Sequence, residues 1–190
     1  MGVIYMKILN FGSLNIDYVY SVDHFVQKSE TISSSQMNIF SGGKGLNQST
    51  ALGRAGAQVF HAGRIGKGGE FLVEQLKEAG VNTDLVVLDS QCSTGHAIIQ
   101  NDAEGDNCIL LYGGANQRIT KEQIDATLDQ FDAGDYLVLQ NETSNLPYLM
   151  EKAAEKQMKI VLNPSPMDEK IKALPLDKVT LFFVNEIEAA

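Results

Sequence analysis

Short apolar runs alternate along this chain with segments of helical periodicity, and that alternation constrains the fold more than any other feature. In order, "KILNF" (7–11) precedes a helical pattern over 43–56, and "QVFHAG" (58–63) precedes one over 69–79. After these come "LVVLD" (85–89), "YLVLQ" (136–140), a helical pattern over 145–157, "KIVLN" (159–163) and "LFFVN" (181–185). Nearly continuous apolar strands separated by helices predict a parallel sheet with helices over its faces. Two stretches interrupt the pattern. Residues 17–40 and 93–113 are strand-like with no helix between the strands, and the second carries a turn at Ala103 to Asp106. They predict a small antiparallel flap beside the main sheet, so the chain reads as one α/β domain with a β lid.

The composition narrows the function. With 44% hydrophobic and 21% charged residues over 190 positions, the chain has the make-up of a folded globular domain. A net charge of −9 without any Lys/Arg-rich run argues against binding nucleic acid through its phosphates. Cys92 and Cys108 are too few for a disulfide framework or a zinc site, which fits a reducing, cytoplasmic setting. The apolar start "MGVIYMKILNFG" is too short for a signal or membrane segment and contains Lys7, so it reads as the lead into a strand. His24, His61 and His96 lack metal-ligand spacing. The sequon at Asn141 carries no weight without a secretion signal.

The stretch "FSGGKGLNQSTALGRAGA" (40–57) has the glycines and lysine of a phosphate cradle. It is not a Walker A loop, because Gly45 follows Lys44 where Ser or Thr is required and Asn38 stands where the first glycine should be. Ligands of open α/β sheets sit beyond the carboxyl ends of the strands. That rim is where Asn15 and Asp17, Glu142, and Asn185 and Glu188 fall, each just past an expected strand. Carboxylates and carboxamides suit sugar hydroxyls, which both donate and accept, and Lys44 with the loop N–H groups adds donors. The glycine loop is therefore expected to hold hydroxyls rather than phosphates.

Together the segments "GSLNID", "SGGKGLNQSTALGRAGA", "GRIGKGGEFLVEQLKEAGV", "STGHAIIQ", "GGANQRIT", "LVLQNE", "VLNPSP" and "VNEIEA" resemble, in order and spacing, the ribokinase-like (PfkB) carbohydrate kinases. The likeness runs through essentially the whole chain and is strongest to the ribokinases. It implies a three-layer α/β/α fold with a mostly parallel central sheet and a β-sheet lid, and ATP-dependent phosphorylation of a primary sugar hydroxyl, ribose first among the sugars. Fructokinase-like and nucleoside-kinase relatives share the scaffold. By this resemblance Asn15 and Asp17 hold sugar hydroxyls, Gly43, Lys44 and Asn47 line the pocket, and Glu142 completes it. Asn185 would lie near the nucleotide phosphates and Glu188 would support Mg2+ through water. The resemblance also implies ATP, room for a monovalent cation, and a homodimer through the lid.

The chain departs from the family pattern in three places. Ser29, Glu30 and Thr31 stand where the lid often has Gly-Glu-Thr, and Gly68 stands where Asp is common. More consequential is the G-A-G-D loop of the family, whose N–H groups stabilise the transferring phosphoryl group and whose aspartate takes the hydroxyl proton. Here "DAGDY" lacks the first glycine and leads into "YLVLQ", so Ala133, Gly134 and Asp135 are expected to form a turn. No glycine follows Gly134. The 190 residues thus read as the N-terminal part of such a domain, with the C-terminal part missing. Alone they are expected to be inactive, or to serve as a non-catalytic sugar-binding or dimerising remnant.

Overall fold

The computed structural model describes residues 6–186 and 188. Residues 1–5, the beginning of the expected lead strand, lie outside the described residues, as does part of the "NEIEAA" segment. Six strands make the main sheet: β1 (Ile8–Phe11), β4 (Val59–Lys67), β5 (Asn82–Ser93), β8 (Tyr136–Gln140), β9 (Lys159–Asn163) and β10 (Val179–Phe182). Their spatial order is β10-β9-β8-β1-β4-β5, and all five neighbouring pairs are parallel.

Side-chain alternation along these strands sorts the core into two layers. Leu9 and Phe11 of β1, Leu137 and Leu139 of β8, and Ile160 and Leu162 of β9 point to one face. There they pack with α3 (Lys121–Leu128) and α4 (Leu146–Glu155) through Ile124, Leu128, Leu149 and Met150. On the other face Val59, Ile65 and Val81 pack with α1 (Lys44–Arg54) and α2 (Glu70–Glu78) through Leu46, Leu72 and Leu76. That second layer stops short of β8, β9 and β10. Ile8, Leu52, Tyr136, Val138, Val161 and Phe183 line an apolar groove of about 390 Å³ there, and Leu181, Phe182 and Val184 are exposed beside it.

Four more strands form a second sheet in the order β3-β2-β6-β7: β2 (Asn15–Ser21), β3 (Gln36–Gly42), β6 (Gly95–Asn101) and β7 (Asn107–Tyr112). The sequence pattern predicted an antiparallel flap; the sheet is mixed. β2–β3 and β6–β7 are antiparallel, but the central pair β2–β6 is parallel. The reason is topological. β2 follows β1 and β6 follows β5, so both leave the same carboxyl rim of a parallel sheet and travel away from it in the same direction. Two other expectations shift. The last strand covers 179–182 rather than 181–185. Helix α3 was not foreseen, although Thr120 caps it by accepting from the Gln123 amide at 3.2 Å. The turn at Ala103 to Asp106 joins β6 to β7, and Ala133 and Gly134 form a turn into β8, as the pattern predicted.

Candidate functional site

From β1 the chain builds outward through β4 to β5, then returns to place β8 on the opposite side of β1. The order of strands therefore reverses beside β1, and a crevice opens beyond the carboxyl ends at such a point. Three loops meet there: the β1–β2 turn carrying Ser13 and Asn15, the start of α1 at Gly43 and Lys44, and the segment after β8 carrying Glu142. A cavity of about 370 Å³ is lined by Asn15 and Glu142, by Leu111 of the small sheet, and by Asn141 and Asp168.

Glu142 organises this corner. Its Oε2 accepts the backbone N–H of Lys44 at 3.0 Å and the hydroxyl of Ser13, and its Oε1 accepts Lys44 Nζ at 3.1 Å. Ser13 Oγ in turn accepts the Gly45 amide at 3.1 Å. The carboxylate thus sits at the N-terminus of α1, where a negative charge is favoured. Gly43 makes this approach by taking φ 95°, a left-handed conformation that suits glycine. The expected supply of loop donors to a ligand is partly used inside the protein: the Lys44 amide and one ammonium proton already serve Glu142. Lys44 Nζ keeps two further protons, and its side chain is 37% exposed against 8% for Glu142.

Beneath the loop, a buried polar chain seats α1 on the sheet. Asn10 Nδ2 donates to the Gly45 carbonyl at 2.8 Å and to Ser49 Oγ at 2.9 Å, Ser49 meets His61 Nδ1 at 2.7 Å, and Gln140 Nε2 donates to Asn10 Oδ1 and Gln48 Oε1. Full burial pushes the His61 imidazole down to about 4, so it is neutral at physiological pH.

The small sheet stands over the cavity, and its register assigns its two faces. Asp17 pairs with Phe40 and Ala97, and Ala97 with Leu111, so these four share a face with Asn15. Leu111 and Asn15 line the cavity, and this is therefore the inner face. Tyr18, Ile39, Ile98 and Leu110 form the outer one. Burial, and next the charge of Glu142, raise the Asp17 carboxyl above the usual carboxylate range.

Of the expected residues Asn15 and Glu142 line this cavity; Gly43 and Lys44 border it through Glu142, and Asp17 is not among its lining. Asn47 is exposed on the first turn of α1. Asn185 and Glu188 lie by a separate cavity of about 300 Å³ with Asn163 and Ser165. There Glu188 accepts Ser165 Oγ at 2.5 Å and the Asn185 amide at 3.2 Å, contacts that hold its carboxyl below the usual range. Among the described residues no three His, Cys, Asp or Glu side chains gather as metal ligands. A single ionised carboxylate is still compatible with Mg2+, which keeps most of its waters. Sequence reasoning gave no role to Ser13, Asn116, Gln117 or Asp168. Gln117 Nε2 donates to the Glu142 carbonyl at 2.8 Å, and Asp168 accepts Asn141 Nδ2 at 3.0 Å. For Ser13, Asn116 and Gln117 a signal was present in "GSLN" and "GGANQR", where polar side chains flank glycines at strand ends; Asp168 lies in neither.

Comparison with known proteins accords with this geometry. A family model described as pfkB family carbohydrate kinase matches residues 6–190. The chain is 34% identical over 192 residues to a ribokinase of Staphylococcus aureus (strain COL), covering 96% of this chain and 62% of that protein. The crystal structure of a ribokinase from Cryptococcus neoformans var. grubii in complex with ADP superposes with a TM-score of 0.82 at 35% identity, covering 96% of this chain and 57% of that one. A ribokinase structure from Thermotoga maritima gives 0.84 at 31% identity, with 97% and 61% covered. The chain spans about 62% of the length of these curated relatives. No helix among the described residues is long and apolar enough to cross a membrane. The chain belongs to the pfkB family of carbohydrate kinases.

Proposed function

We propose that this member of the carbohydrate kinase family serves ATP-dependent phosphorylation of a primary sugar hydroxyl, with ribose the preferred substrate. The observation that carries the reading is the corner where Glu142, Lys44 and Ser13 meet beside Asn15, at the strand-order reversal. The Asn15 carboxamide, the two remaining Lys44 ammonium protons and the Glu142 carboxylate offer both donors and acceptors, which suits vicinal hydroxyls, and relatives named ribokinase support the choice of sugar. In this reading Asn15, Asp17, Gly43, Lys44, Asn47 and Glu142 bind and orient the sugar, and Asn47 reaches it from the first turn of α1. Asn185 lies toward the nucleotide phosphates. Glu188 supports Mg2+ through water, and the cation would neutralise phosphate charge. The small sheet acts as a lid that excludes water from the bound sugar.

The test is ADP formation by the complete gene product with ribose, fructose, tagatose and adenosine at equal concentration. Preference for ribose is expected; equal rates, or preference for adenosine, would remove the ribokinase reading. We further propose that residues 1–190 alone bind sugar without turning it over. The one near match to the family's catalytic loop, Ala133 to Asp135, is a turn whose Asp135 accepts the Lys7 amide at 2.9 Å. Sugar phosphorylation by the purified 190 residues would contradict this.

A homodimer through the lid is part of the same proposal. Ile109, Leu110, Leu111 and Tyr112 of β7, with Ile39 and Phe40 of β3, are exposed at 48–67%, and a second copy of the outer face would cover Ile39 and Leu110. Sedimentation reads the stoichiometry directly, and a monomer at micromolar concentration would dismiss it.

A further inference from the structure

Asn116 lies in the one-turn helix Gly114–Arg118, outside every role assigned so far, and is 1% exposed. Its carboxamide is clamped by the backbone of the β1–β2 turn. Oδ1 accepts the Leu14 amide at 3.0 Å, and Nδ2 donates to the Leu14 carbonyl at 3.2 Å and to Asn15 Oδ1 at 2.8 Å. A backbone N–H can only donate and a backbone carbonyl can only accept, so these two partners decide which end of Asn116 is oxygen and which is nitrogen. The same logic passes to Asn15. Because Asn116 presents an N–H, Asn15 must turn its oxygen inward, and its Nδ2 then faces the cavity that Asn15 lines. Gly95 at the root of β6 closes over the pair, and a Cβ there would collide with both Asn116 Nδ2 and Asn15 Oδ1. Both side chains belong to buried residues, Asn15 at 4% and Asn116 at 1% exposure. The Asn116 carbonyl also accepts the Ser144 amide at 3.0 Å, and neighbouring Gln117 holds the Glu142 carbonyl. One buried residue thus ties together the loops that carry Asn15 and Glu142.

We propose that Asn116 is a positioning residue that fixes Asn15 as a hydrogen-bond donor to the substrate, so that the site selects an acceptor oxygen at that position. The proposal rests on the sugar-binding reading for what fills the cavity, but not for the orientation of Asn15. Asn116→Asp keeps the shape and the contact with the Leu14 amide while removing the N–H that holds Asn15 Oδ1 and the Leu14 carbonyl. Asn15 then turns its Nδ2 to the new carboxylate and presents oxygen to the cavity.

The experiment uses the 15N-labelled 190-residue chain, with Asn15→Ala to assign the Asn15 side-chain amide signals. In Asn116→Asp that pair of signals should move while backbone amides of the main sheet stay in place. Affinity for D-ribose should fall roughly ten- to hundred-fold, the scale of a buried polar partner left unsatisfied. Adding Asn15→Ala to Asn116→Asp should cost little more, because the contact is already lost. A second variant guards against misfolding. Asn15→Asp keeps an acceptor toward Asn116 and replaces the donor facing the cavity with a carboxylate oxygen, and it should lose ribose affinity to at least a similar extent. Unmoved Asn15 signals in a folded Asn116→Asp, or wild-type ribose affinity in Asn15→Asp, would overturn the proposal. If the wild-type chain binds no ribose, the sugar reading falls, and the Asn15 signals alone decide the orientation.

Discussion

The two sheets of this molecule solve different problems with the same residue types. In the main sheet, Leu9, Phe11, Leu137, Leu139, Ile160 and Leu162 are fully buried under helices. In the small sheet every residue of β7 is exposed, although "CILLY" is as apolar as any core strand. Burial against helices fixes the first sheet, whereas hydrogen-bonded register and whatever approaches its faces hold the second. The lesson is that an apolar strand reports β structure reliably but does not say what will cover it.

The contrast can be broken most directly by truncation. Leu137→Ala, at 0% exposure, should destabilise the chain by about 2–5 kcal/mol in urea unfolding followed by far-UV circular dichroism. Leu110→Ala, at 67%, should stay within about 0.5 kcal/mol under the same conditions. Comparable losses at the two sites would mean that the small sheet carries part of the core.

The layer under α1 adds a dependence on pH of its own. His61 has a folded value of about 4 against an ordinary 6.5, so below pH 6.5 the unfolded chain takes up a proton that the folded one refuses. This stability is complete above pH 6.5 and is lost as pH falls toward 4, by about 3 kcal/mol at 1.36 kcal/mol for each pH unit. In His61→Gln that part of the slope should vanish. Chemical denaturation of both proteins at pH 7 and pH 4.5 checks it, and an unchanged slope would assign the acid sensitivity elsewhere.

Where the sheets meet, Ser13→Ala removes one donor from Glu142 and the acceptor of the Gly45 amide. Ribose affinity should weaken roughly ten-fold, measured by calorimetry, with little change in the melting of the main sheet. The smallest stability effect is expected at Leu110→Lys. It should leave folding intact and abolish self-association in sedimentation, and dimers that persist would move the interface off the outer face.

Much of this was legible in the sequence. Apolar runs marked every strand of the main sheet to within a few residues, because parallel strands joined by helices read as short, nearly continuous apolar runs. The rim positions of Asn15 and Glu142 followed from strand ends alone. The direction of β2 against β6 was not legible, since a parallel central pair depends on where two distant strands leave the main sheet. Helix α3 was missed although Thr120 and Gln123 marked its start, because its apolar stripe, Ile124 and Leu128, is narrow. Ser13 and Asn116 act on other residues of the site, and their partners at positions 142 and 15 are more than 100 residues away in sequence. No local pattern encodes such a contact.

In the proposed function Glu142, held by Lys44 and Ser13, marks a sugar site at the strand-order reversal. Titration calorimetry of D-ribose into the 190-residue chain and into Glu142→Gln tests it most directly. Saturable one-to-one binding to the first, weakened at least about ten-fold in the second, is the predicted result. Equal binding to both proteins, or none to the unaltered chain, would contradict it.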